Sequence, residues 1–179
     1  MKKTIRKHVM LVATIIAFSL GMSMVSFARD EAAYEQAKNT KVSSELLDAS
    51  VKKSTSDSQN SRSSALAAAL SEISNEGSGV IGVYAETMMH TSVDWACLTI
   101  YLERWNEERQ DWDVCQDFYQ EFLPDGQNPL IFVKRQEYVD DEPTGYYYRV
   151  RAIHELEFDD GWYEAKVTKT DGILITSEP

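Results

Sequence analysis

The chain has 179 residues, and its 18 Lys and Arg against 29 Asp and Glu give a formal charge of −11. That length holds one domain and a tail, and so acidic a surface excludes nucleic acid and anionic lipid head groups as natural partners. Two cysteines and three histidines also rule out a disulfide-dense scaffold and a zinc site built on histidine alone.

The chain opens on Lys2, Lys3, Arg6 and Lys7, with no acid beside them, and continues as an apolar run from Val9 to Val25. Ser26-Phe27-Ala28 then puts small residues at the two positions a signal peptidase reads. This pattern predicts a secretory signal peptide over 1–28, cleaved after Ala28. An uncleaved anchor helix is the competing reading. The run is short for a membrane span, and the small-residue site favours removal. No cysteine stands at the junction to carry a lipid. Cleavage would leave 151 residues with 14 cationic and 29 acidic side chains, a charge of −15. The expected location is extracellular, secreted or associated with the cell wall, without stable membrane insertion after cleavage. The C-terminal Ile173–Pro179 lacks the apolar tail and basic end of a wall-sorting signal.

Residues 29–76 contain no Trp, Phe, Gly or Pro, and Tyr34 is their one aromatic residue. Ser54–Ser64 is polar and low in complexity, a composition that buries too little apolar surface to offset the entropy of ordering it. Weak helical patterns flank it, at Asp30–Ser50 and at Ser64–Ile73. In the second, Leu66, Leu70 and Ile73 recur at i, i+4 and i+7 among alanines. The segment is therefore expected to be a disordered or weakly helical linker. A partner-binding helix is its functional alternative.

From Gly77-Ser78-Gly79 onward the pattern becomes that of strands. Val80–Thr87 is the first. Asp94–Arg104 sets Ala96, Leu98, Ile100 and Leu102 on one face and Cys97, Thr99, Tyr101 and Glu103 on the other. The polar loop Asn106–Asp111 leads into the alternation of Trp112–Asp117, and Pro124-Asp125-Gly126 is a turn signal before Leu130–Arg135. Pro143-Thr144-Gly145 precedes the longest strand, Tyr146–Glu157. Asp159-Asp160-Gly161 reads as a hairpin tip before Trp162–Lys169, and Thr170-Asp171-Gly172 precedes Ile173–Thr176. Seven short strands in roughly 100 residues, punctuated by turn residues, predict an antiparallel β-sandwich over 77–179.

Two resemblances follow from these strands. Tyr146-Tyr147-Tyr148-Arg149-Val150-Arg151-Ala152 is similar to the penultimate strand of fibronectin type III domains. That resemblance implies an immunoglobulin-like all-β sandwich with Tyr146, Tyr148, Val150 and Ala152 inward and Arg149 and Arg151 outward. The order Ile81–Tyr84, Leu98–Leu102, Tyr146–Arg151, Thr170–Ile173 behind a signal peptide also resembles a family of small exported proteins of Gram-positive gut bacteria. This likeness implies export and fold, and carries no active site.

Candidate sites are few. Cys97 and Cys115, an even count in an exported chain, suggest one disulfide. A three-residue hairpin loop would put Cys97 opposite Asp117, leaving Cys115 on the diagonal at about 7–8 Å, so bridging would need a bulge. A thiol nucleophile is the alternative use of either cysteine. Asp140-Asp141-Glu142 and Glu155, Glu157, Asp159 and Asp160 could supply calcium ligands if their loops shared one end of the sandwich; solvated acidic loops are the plainer reading, and no cofactor is otherwise expected. Trp105 and Trp112 flank the polar hairpin loop and Tyr147 points outward, making these three the candidate ligand-facing aromatics. Most of the rings among Trp95, Trp105, Trp112, Trp162 and the tyrosines after residue 77 are expected to fill the core of so small a domain. No nucleophile–base or zinc-protease motif appears, so no catalytic residue is assigned, and His154 is expected at the rim or buried in packing. The expected function is a non-enzymatic binding or interaction module for an extracellular protein or glycan. A carbohydrate-binding module is the alternative, and a hydrolase the remote one.

Overall fold

A computed structural model describes residues 30–40, 43–58 and 65–178. The signal peptide and its cleavage site after Ala28 lie outside the described residues. Among the described residues one short helix, α1 (Glu31–Lys38), precedes nine strands: β1 (Lys53–Asp57), β2 (Leu66–Gly77), β3 (Val80–Val93), β4 (Trp95–Asn106), β5 (Asp111–Phe122), β6 (Leu130–Val139), β7 (Tyr146–Glu157), β8 (Tyr163–Lys169) and β9 (Ile173–Ile175). They form two antiparallel sheets, ordered β1-β2-β3-β6 and β5-β4-β7-β8, with β9 continuing the second sheet beside the start of β7. This is a sandwich of the immunoglobulin and fibronectin type III kind.

All seven strands expected from alternation are present, and the last long one, Tyr146–Glu157, has the expected bounds. The segment expected to be a linker differs. Its described residues supply α1 and two strands of the sandwich, so nine strands replace about seven. The stretch expected to be helical at 64–73 is β2, which pairs with β3 along its length and carries Leu66, Ala69 and Ile73 into the core. Alanine and leucine favour helix locally, yet two flanking strands decide the outcome. Gly77-Ser78-Gly79 is a hairpin tip rather than a boundary. Gly77 pairs with Val80, and Ser78 and Gly79 both hold positive φ, 53° and 84°, as the tight turn matching strand twist requires.

The core lies between the sheets and is built from the inward residues of β2, β3, β4, β6, β7 and β9. Its largest wholly buried side chain is Tyr148, whose hydroxyl donates to the Pro143 carbonyl at 2.6 Å. A tyrosine early in this strand, bonded to backbone a few residues upstream, is the tyrosine corner of such sandwiches. Tyr148, Val150 and Ala152 point inward as expected. Tyr146 has the same phase but sits past the end of the core. It is 47% exposed, against the expectation, with the Arg104 guanidinium 5.2 Å from its ring centre.

Both open edges of the sandwich are closed by polar groups. On one side Arg135, inward-facing on edge strand β6, donates to the Tyr119 carbonyl and covers the Phe118 ring of β5. On the other, the Ser56 and Ser54 hydroxyls of β1 accept the backbone N–H groups of Lys169 and Asp171. Inward charge and edge-capping hydroxyls both discourage pairing with other chains.

Candidate functional site

The outer face of the five-stranded sheet carries the unusual chemistry. On β7 the odd-numbered residues point outward, and the register with β4 places Glu103 opposite Arg149 and Tyr101 opposite Arg151. Glu103 accepts from both arginines: Arg149 Nε at 2.7 Å on one oxygen and Arg151 Nε at 2.7 Å on the other. Each guanidinium also lies over an aromatic ring at 4.3 Å, Arg149 on Trp112 and Arg151 on Tyr101. The result is a ladder running Trp112, Arg149, Glu103, Arg151, Tyr101. Tyr34 of α1 extends it, its hydroxyl 2.6 Å from that of Tyr101.

Helix α1 buries the far half of this face. Asp30 caps it by accepting the backbone N–H groups of Ala32 and Ala33. Tyr34 and Ala37 then pack on Ile153, with Tyr101, Ala165 and Val167 around them. The Lys38 carbonyl at the helix end accepts from Arg151. Cover of this kind explains how three charged side chains lie almost wholly buried on an outer face.

The near half stays open. Trp105 pairs directly with Trp112 across β4 and β5, and carrying the β4–β7 register one residue past Arg104 and Tyr148 puts Tyr147 beside Trp105. The three candidate aromatics thus share one row of one face. The two indoles meet edge to face, centres 5.3 Å apart and planes at 63°, forming a corner rather than a flat platform. A cleft of about 430 Å³ lies against that corner, bordered by Trp105, Gln110, Asp111, Trp112, Arg149 and Lys169 among others. Tyr147 shares the row but does not border the cleft.

A break in the sheet edge shapes this cleft. Between β8 and β9 the chain leaves the ladder at Thr170–Gly172. Thr170 donates its N–H to the Val150 carbonyl, while its buried hydroxyl accepts the Val150 N–H at 2.9 Å. Residues 45–47 fill the gap through bonds from Gly172 N–H to the Glu45 carbonyl and from Leu47 N–H to the Gly172 carbonyl. Gly172 is required here: a Cβ would come within 2.5 Å of the Trp112 ring. Trp112 therefore seats on Gly172 and Arg149, partly packed and partly open.

Electrostatics at the cleft are locally cationic on an acidic chain. Burial lowers the Arg149 pKa from its usual value, and Glu103 works against that shift. Burial, then the Arg149 charge, brings Lys169 down to about 8. Glu103 and Asp111 are the acids that oppose the second shift.

The remaining candidates separate. No disulfide joins Cys97 and Cys115. Asn106 pairs with Asp111, so the hairpin loop is longer than expected, and Cys97 faces Glu121 rather than Asp117. Glu121 and Cys115 are six residues apart on β5, about 20 Å at strand rise. A bulge at Leu102/Glu103 also turns Cys115 toward the core side, while Cys97 stays on the outer face. Burial pushes the Cys115 thiol up to about 11, far from a reactive thiolate. The two acidic loops flank opposite ends of the twelve-residue strand β7, about 40 Å apart, so they do not converge on a cation. Among the described residues no group of three or more His, Cys, Asp or Glu is placed to hold a metal ion.

His154 is wholly buried between the sheets, its two nitrogens each 2.8 Å from a hydroxyl, Thr87 of β3 and Thr168 of β8. Trp95 is buried, while Trp162 is partly exposed against Phe158. The outward phase of Arg149, Arg151 and Glu103 was readable from alternation. Lys169, Gln110 and Asp111 carry little signal in the sequence beyond a cation ending one strand beside an Arg-x-Arg strand. No helix among the described residues is long and apolar enough to cross a membrane. No protein-family model, curated protein or solved structure matches this chain.

Proposed function

We propose that this chain is an exported, non-enzymatic binding module whose ligand seats on the open half of the five-stranded sheet's outer face. The observation that carries this reading is the corner of Trp105 and Trp112 above the cleft that Arg149 borders. Partly exposed rings at a concave, polar-lined position offer apolar contact together with orienting hydrogen bonds, the usual composition of a small-ligand site. The placement of the reactive side chains supports a binding role over a catalytic one. Cys115 is held as a thiol and His154 is sealed between two threonines, away from the cleft. The sequence pattern of residues 1–28 supports export.

Indole N–H resonances give a direct test, because four tryptophans report four places. Titration with oligosaccharides and short peptides should shift Trp105 and Trp112 while Trp95 and Trp162 stay fixed. Shifts confined to Trp162, or to side chains of the other sheet, would move the site elsewhere. Release of a cleaved product during the titration would replace binding with hydrolysis.

A further inference from the structure

We infer that the cleft takes an acidic saccharide, with a sugar ring against the Trp105–Trp112 corner and its carboxylate on the Arg149 guanidinium. This deepens the binding reading above and rests on it. Arg149 is 7% exposed, and its single bond to protein among the described residues is from Nε to Glu103. The rest of its fork borders the cleft without an acceptor from those residues. Those nitrogens reach the open cleft rather than lying orphaned in the interior, and a carboxylate matches the fork in two parallel bonds. Trp112 stacked at 4.3 Å fixes the plane of that fork, so little ordering remains to be done on binding.

Charge at the site points the same way. Arg149 and Arg151 share one buried carboxylate, Glu103, with Asp111 at the rim of the cleft. Pairing so well shielded is screened less by salt than the long-range repulsion of an acidic chain, so an anion could hold at physiological ionic strength.

The other lining groups favour a sugar over an acidic peptide. Gln110 and Asp111 offer acceptors beside the donors of Arg149, a mixture suited to hydroxyls, which do both. An extended peptide gains most from an unpaired strand edge. Here the floor is β4, paired with β5 and β7, and the stretch of β7 at the gap, whose Val150 backbone is already met by Thr170.

The test is a panel of uronic-acid and sialic-acid oligosaccharides, each beside its neutral methyl ester, titrated into the full mature chain by calorimetry and NMR. At least one acid should bind tenfold or more tighter than its ester, shifting the Arg149 Nε–H together with the Trp105 and Trp112 indoles. Arg149→Lys, which keeps a charge for Glu103 but loses the fork, should cost about tenfold for the acid and clearly less for the ester. Because that variant alters a buried pair, the acid–ester comparison on the unaltered protein decides if it fails to fold. Equal binding of acids and esters at this corner would overturn the carboxylate assignment and leave the binding face intact. Binding of an acidic tripeptide with no saccharide bound would overturn the sugar. No shift at the corner with any probe would overturn both this inference and the site beneath it.

Discussion

His154 shows how one side chain ties stability to pH. It is fully buried and spans the two sheets through Thr87 and Thr168. Burial brings its pKa down from 6.5 to about 3, because a charged imidazolium there would lose its water. Below pH 6.5 the unfolded chain binds a proton that the folded chain refuses, so stability is complete above that pH and falls as pH drops toward 3. The slope is about 1.4 kcal/mol per pH unit, hence about 2 kcal/mol lost between pH 6.5 and 5, before ordinary carboxylates protonate. Urea melts of the wild type and of His154→Gln should diverge in that window, with the variant nearly flat. Parallel curves would show that His154 ionises freely in the fold. Glu103 makes the companion point about burial: its carboxylate holds two guanidiniums on an outer face, shielded by the Trp112 ring over Arg149 and by Tyr101 and α1 beside Arg151.

At the scale of elements, the gap between β8 and β9 is held by Thr170, whose side chain stands in for a missing ladder acceptor. Thr170→Val keeps the shape but leaves the Val150 N–H buried without its partner, which should cost about 1–3 kcal/mol. Thr170→Ser keeps the hydroxyl and should cost less than about 1 kcal/mol. Denaturant titration checks both, and amide exchange at Val150 should quicken in the Val variant alone; equal exchange in both would mean the hydroxyl is not the acceptor. Such a gap is not legible beforehand, because Thr170-Asp171-Gly172 carries an ordinary turn signal. The central strands of the same sheet were legible, since Leu98, Ile100 and Leu102 of β4 and Tyr148, Val150 and Ala152 of β7 recur at every second residue. β2 was not. Leu66, Leu70 and Ile73 fit a helical stripe, while the small inward residues Ala69 and Ser71 hide the strand's second period. The cysteines failed for a related reason: one bulge at Leu102/Glu103 and a longer loop displaced the register by several residues. The aromatic row survived because it sits beside the hairpin loop, where little register error accumulates. Lys169 joins the cleft through the sheet edge, a long-range fact that no local pattern carries.

For the whole molecule, the question is where the cooperative unit begins. A break in composition at Gly77 suggests an independent domain over 77–179, yet β2 lies inside the four-stranded sheet, between β1 and β3. Cutting there removes Leu66, Ala69 and Ile73 from the core, each wholly buried. Losing either large aliphatic side chain by truncation typically costs about 2–5 kcal/mol. Losing the strand that carries both exceeds what a domain of net stability about 5–15 kcal/mol can absorb. It also bares the edge of β3 that β2 covers, Val80 to Met89, while β6 still holds the other edge, and the bared edge is open to other chains. A fragment spanning 77–179 should therefore show no cooperative urea transition and should aggregate. One spanning 43–179 retains β1, β2 and the residues that fill the β8–β9 gap, and should melt in a single step. Retention of a sharp transition by the shorter fragment would mean that β1 and β2 are appended to the sandwich rather than part of its core. The longer fragment separates a second contribution, because it lacks α1. Without Tyr34 and Ala37 over Ile153, the Arg149–Glu103–Arg151 ladder opens to water. Its melt should come at lower urea than that of the chain from residue 29, with the same single-step form.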